Sequence, residues 1–158
     1  MKRFIILFCL ISAFSSAQDL SLLKATKQTI NSGASSSSTT NYSVDINKTK
    51  KCKLSIDSVV NVYTQKSISF NIVQVDNPSA VSPSYHQVKP SAIKEKGMYQ
   101  ITFASTKNRG SGRPATPMNL VVPIADFTQG AIIYYSSGKK KKQLLVESFE
   151  QLETINAP

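Results

Sequence analysis

The chain of 158 residues carries 19 Lys and Arg against 9 Asp and Glu, a formal net charge of +10, with 41% hydrophobic residues and no tryptophan. That length suits one ordinary domain. One histidine and the one cysteine left after removal of the signal read below cannot build a typical zinc site, and the positive surplus points to anionic surfaces as partners.

The first 17 residues read as a secretory signal. Lys2 and Arg3 give the positive start, residues 4–14 the apolar run, and Ser15, Ser16 and Ala17 the small residues before a cleavage point at Ala17-Gln18. The run falls short of the roughly twenty residues that span a bilayer. Cys9 lies among bulky neighbours instead of after small ones, so a lipid-bearing cysteine is not expected. The expected product is exported, periplasmic or secreted. Losing Lys2 and Arg3 leaves 17 basic against 9 acidic residues and Cys52 as the remaining cysteine. No internal disulfide then holds the fold. Cys52 is either a small inert side chain at a strand start or a thiol that pairs with another chain. No later apolar run reaches membrane-spanning length, so a soluble product is expected.

Residues 18–40 read as an N-terminal segment. Leu20, Leu23 and Ile30 fall at helix-like steps with Asp19 as a candidate cap, although Thr26 and Thr29 are β-branched, so the segment is a short helix or a leading strand. Residues 32–40, "SGASSSSTT", have no periodicity and read as a flexible linker. From residue 41 to 158 a single β domain is expected. Tyr42, Val44 and Ile46 alternate with polar residues. Leu54 and Ile56 lead on to Val60 and Val62, with Ser58 as the weak member of that face. Ile68, Phe70 and Ile72 give way to Val73 and Val75 on the opposite face, which places a bulge or a strand end near Ile72. Asn77-Pro78 ends that strand, and Lys96-Gly97 precedes an alternating run of Tyr99, Ile101 and Phe103. Ser137, Gly138 and Lys139 read as a tight hairpin between "AIIYYS" and "QLLVES". The last stretch, with Glu147, Glu150 and Glu153 at steps of three, extends a strand or forms one helical turn with a solvated face. Seven or so short strands without a long helical period argue for an all-β fold, an antiparallel sandwich or a small barrel.

The stretch "EKGMYQI", residues 95–101, is similar to the G-x-Y-x-C segment of immunoglobulin-like domains, in which a tyrosine hydroxyl pins its strand to the preceding corner. Ile101 stands where antibody domains place a cysteine. The resemblance covers seven residues and implies an immunoglobulin-like sandwich in preference to a barrel.

The catalytic inventory is small. His86 is the only histidine and would have to serve as base for any serine or cysteine nucleophile, and G-x-S-x-G is absent. Gly110, Gly112 and Ala115 match the spacing of a dinucleotide-binding turn. Pro114 and Pro117 and a following strand-like run exclude the helix that such a turn opens. No cofactor is expected. Three basic segments remain: Lys48, Lys50, Lys51 and Lys53; Lys107, Arg109 and Arg113; and Lys139, Lys140, Lys141 and Lys142. The arginines suit two-pronged grip of carboxylate, sulfate or phosphate. The lysine runs are either anion contacts, forming one cationic rim if all three segments gather at one end, or solvated turns that protect sheet edges. The expectation is an exported, non-catalytic binding module whose partner is an acidic glycan (lipopolysaccharide included), a lipid headgroup or an acidic protein, with no nucleic acid. A hydrolase assembled around His86 and a structural envelope component are the alternatives.

Overall fold

The computed structural model describes residues 19–32, 37–108 and 127–157. Alternation in the sequence becomes alternation in burial. Tyr42, Val44 and Ile46 lie inside on β2 (Ser37–Lys48), and Tyr99, Ile101 and Phe103 lie inside on β7 (Gly97–Asn108). The two strands pair antiparallel along their whole length, from Lys48 opposite Gly97 to Ser37 opposite Asn108. Around them a seven-stranded sheet is built. On one side lies β1 (Leu20–Ser32), and on the other β5 (Asn71–Asp76) and the edge strand β6 (Ser84–Gln87). Beyond β1 the short β10 (Glu150–Gln151) and β11 (Ile155–Ala157) run parallel to it. The second sheet has four strands: β4 (Ser67–Ile68), β3 (Leu54–Asn61), β8 (Ala131–Ser137) and β9 (Lys140–Val146), in that order. The described chain is thus all-β, in one mixed and one antiparallel sheet, and neither closes into a barrel. One core draws on both sheets, with Val44, Ile72 and Ile101 from the larger and Leu54, Val59, Ile133 and Val146 from the smaller.

The N-terminal segment is a strand, not a helix. β1 pairs with β2 from Leu20 opposite Lys48 to Asn31 opposite Ser38, with a bulge between Leu22 and Lys24. Ladder bonds to a neighbour and β-branched Thr26, Thr29 and Ile30 outweigh a brief helical spacing. Residues 37–40, expected as linker, belong to β2. Residues 38–40 are half-buried and pair on both sides, and hydroxyl contacts join Thr29 to Thr40 and Thr39 to Thr106, each at 3.2 Å.

A second bulge, between Ile56 and Ser58 in β3, corrects the expected face of that strand. Past it the inward phase moves to Val59 and Asn61, while Val60 is still nearly covered. Ser58 read as a weak core position because the register shifts there. Before Ile72 the chain does break: β4 pairs within the smaller sheet and β5 within the larger, so residues 69–70 carry the chain between sheets. The Ser137–Lys140 hairpin turns through Gly138 and Lys139, with Gly138 at φ +63°, as a glycine-first two-residue turn requires. The tail forms β10 and β11 instead of a helical turn, leaving Glu147, Glu150 and Glu153 exposed.

Tyr99 is buried, and its hydroxyl donates to the Glu95 carbonyl at 3.0 Å. This is the strand-to-corner bond that the EKGMYQI resemblance implies. Burial first, and then the nearby Glu95 and Asp76 carboxylates, raise its pKa above the ordinary tyrosine value, so the hydroxyl keeps its proton through neutral pH. Removing the bond with Tyr99→Phe leaves that carbonyl short of a donor. The expected loss is about 1–2 kcal/mol in denaturant unfolding, and an unchanged midpoint would contradict the corner's role.

Candidate functional site

The alternation of β2 does not stop at Ile46. Lys48 continues it and is 1% exposed. Its ammonium is satisfied by carbonyls, donating to Lys50 at 2.6 Å and Lys94 at 2.9 Å. A buried lysine is tolerated only with such partners, and here it ties the segment after β2 to the segment before β7. Two further joints draw in the smaller sheet. Leu54 and Ile93 exchange backbone bonds at 2.9 and 3.0 Å, and the Gly138 amide donates to the Lys53 carbonyl at 3.4 Å. The start of β1 joins through Thr49 N–H donating to the Asp19 carbonyl at 3.1 Å.

Asp19 is the hinge of this assembly. Its side chain is 4% exposed and meets Lys142 at 2.6 Å and Lys50 at 2.9 Å. The Lys142 ammonium, and then that of Lys50, hold the carboxyl far below the usual carboxylate range, against the opposing effect of burial. The same contact raises Lys142 above the ordinary lysine value. Asp19, expected as a helix cap, is instead an acid clasped between two basic segments.

The result is a cationic pole. Lys50, Lys51 and Lys53, Lys94 and Lys96, and Lys139, Lys140 and Lys141 are all exposed there, beside the half-buried Lys142; Asp19, Glu95 and Asp57, which accepts from Ser136 opposite Lys141, are acids among them. Two of the three basic segments expected from sequence therefore meet. Lys94 and Lys96 complete the pole and were missed, because Glu95 between them breaks the run. The Leu54–Ile93 bridge that brings them in has no signature in composition.

The third segment starts elsewhere. In the β2–β7 register Lys107 stands opposite Ser38, ten residues from Lys48 and so about 33 Å along the strand. β7 thus leaves its sheet at the end opposite the pole, and Lys107 stands apart from the other two segments. Arg109 and Arg113, with Gly110, Gly112 and Ala115, lie outside the described residues.

Within the lysine run the side chains divide their work. β9 is an edge strand, and Lys140 and Lys141 on it are exposed, as charges guarding an unpaired edge would be. Lys142 is engaged by Asp19, and Lys139 sits in the turn. Cys52 is half-buried, its sulfur 3.4 Å from the Ser137 hydroxyl. His86 lies on the edge strand β6, exposed, with Nε2 at 3.1 Å from Asp76 Oδ2. Among the described residues no hydroxyl or thiol bonds to it, and no cluster of three metal-ligating side chains occurs.

Asp19→Asn tests the clasp. A group whose folded pKa is depressed contributes stability above its unfolded value, near 4, that is lost as pH falls through the folded value. At neutral pH the variant should lose about 1–3 kcal/mol, and its stability should fall less steeply than wild type from about pH 4 downward. Lys142 carries the alkaline side of the same pair: with its pKa raised, the contact persists through neutral pH and fails only above the ordinary lysine range. Parallel acid-unfolding curves for the two proteins would refute the clasp.

No helix of the described residues is long and apolar enough to cross a membrane. No family model, curated protein or solved structure matches the chain.

Proposed function

We propose that the protein is an exported, non-catalytic β-sandwich module, immunoglobulin-like in its tyrosine corner, that docks on an anionic partner through the cationic pole. The observation that carries this reading is the convergence of the segments around Lys50–Lys53, Lys94–Lys96 and the Gly138 hairpin on one end of the fold. The common core of the two sheets supports the sandwich. Lysine heads on short connectors act as point charges. They suit a repeating anionic surface such as an acidic glycan, a lipid headgroup layer or an acidic protein face more than one shaped anion. Lys107, Arg109 and Arg113 remain a second candidate contact, entered from the far end of β7.

The test is retention on a sulfated matrix at low ionic strength with release by salt, compared with a protein of equal net charge and scattered lysines. Later elution than that control is expected. Elution together with it would leave only the net charge. Association with envelope material that survives high salt would point instead to docking through sheet edges.

A further inference from the structure

The outer face of the larger sheet, turned away from the core, carries a groove of about 1010 Å³, at the top of the range of small-molecule sites. Its floor is a row of side chains in register across four strands, Thr26, Ser43, Thr102 and Asn71, with Gln28 and Asn41 in the row beside it. These positions alternate with the inward Tyr42 and Phe103, which turns them outward. Phe70 and Leu152 add apolar surface to the lining.

Two properties of this lining stand out in so basic a chain. No lining residue is charged. And among the described residues Thr26, Asn41, Asn71 and Thr102 make no side-chain hydrogen bond, while the Ser43 hydroxyl is shielded from solvent without a partner. Gln100, at the groove's border, is held by Asp45 at 3.0 Å and keeps its carbonyl free. Threonine hydroxyls and asparagine amides each donate and accept. A dense array of both, without charge, matches a ligand whose groups also do both. The charges flanking the floor are already engaged, Lys24 with Glu150 at 3.1 Å and Asp45 with Gln100 at 3.0 Å. An added peptide strand needs an open backbone edge, and the floor strand β2 is paired on both sides.

We propose that this groove binds a neutral oligosaccharide, its hydroxyls meeting the Thr26–Thr102 and Asn41 rows and its C–H faces resting on Phe70 and Leu152. The site is separate from the cationic pole and does not depend on it.

The experiment is amide chemical-shift titration of the labelled protein with neutral hexasaccharides of glucose, xylose, mannose and N-acetylglucosamine at millimolar concentration. At least one should shift Thr26, Asn41 and Thr102 saturably. Thr102→Val together with Asn41→Ala should weaken binding by about tenfold or more. Thr102→Ser, which keeps the hydroxyl, should bind as wild type, which separates loss of contact from loss of fold. Retention of both variants on a sulfated matrix should not change. The proposal is overturned if no member of the panel shifts these amides. It is equally overturned if the double variant binds as wild type, or if an uncharged extended peptide shifts the same amides where the sugars do not.

Discussion

Replacing Lys94, Lys96, Lys140 and Lys141 together by glutamine should cut affinity for a polyanion by roughly a hundred- to a thousandfold at low ionic strength. The basis is about 1 kcal/mol per basic residue held against an anionic surface, reduced by screening. All four are exposed, so their side chains cost the fold little. Lys48, Lys50 and Lys142 are left in place because they hold the segments together. The matched control removes four charges that belong to none of the pole's three segments in sequence, at Lys66, Lys107, Arg109 and Arg113. Lys66 follows the far end of β3, away from the pole. If binding depends on the pole, the control loses only what total charge contributes, several-fold at most. If the control loses more than the pole variant, the contact belongs to the arginine segment. The ratio between the two, read from salt-gradient elution or direct titration, decides between the surfaces.

The second large effect is on stability. Phe127→Ala should cost about 3–5 kcal/mol, on the order of half the stability of a typical domain. Phe127 is fully buried and its ring stands 4.9 Å from that of Phe103 and 5.3 Å from that of Tyr42. Tyr42 and Phe103 stack at 5.1 Å across the β2–β7 pair, and Phe149 meets Tyr42 edge-on at 5.0 Å. Phe127 and Phe149, both from connecting segments, thus cap the larger sheet's inner face. The Phe127 amide also donates to the Tyr42 hydroxyl at 3.3 Å inside the core, so Tyr42→Phe should lose about 1–3 kcal/mol by leaving that donor unpaired. A second backbone constraint lies nearby. Gly130 has φ +101°, and a Cβ there would sit 2.2 Å from the Val146 carbonyl oxygen, so no other residue fits without moving the β8–β9 pair. Denaturant midpoints measure these losses. A cost below about 1 kcal/mol for Phe127→Ala would place the ring outside the core.

Much of the fold is legible in period-two runs. Tyr42, Val44 and Ile46, and Tyr99, Ile101 and Phe103, fall inside as their spacing implies, because a strand with one buried face must alternate. The Gly138 turn and the stop at Asn77 are legible for a local reason too, since turn chemistry lies in the turn residues themselves. The departures have one cause: long-range pairing decides what short segments cannot. β1 and the first residues of β2 are polar enough to read as helix or linker and become strands only because neighbours complete their ladders. The bulge in β3 shifts the phase by one residue, and sequence shows it only as a serine where an apolar residue is expected. For the candidate site, the two lysine runs are visible in sequence but their meeting is not. It is made by Asp19, Lys48 and the Leu54–Ile93 bridge, none of which belongs to a motif. The groove has no signature at all, because Thr26, Ser43, Thr102 and Asn71 are ordinary outward residues until four strands align them.

The measurement that bears most directly on the cationic pole is an amide shift map of the labelled protein titrated with a sulfated oligosaccharide at low salt. The account predicts that shifts concentrate at residues 50–53, 94–96 and 138–141, grow together with one apparent affinity, and vanish at high salt. Shifts confined to the end of β7, or spread evenly over the surface, would contradict it.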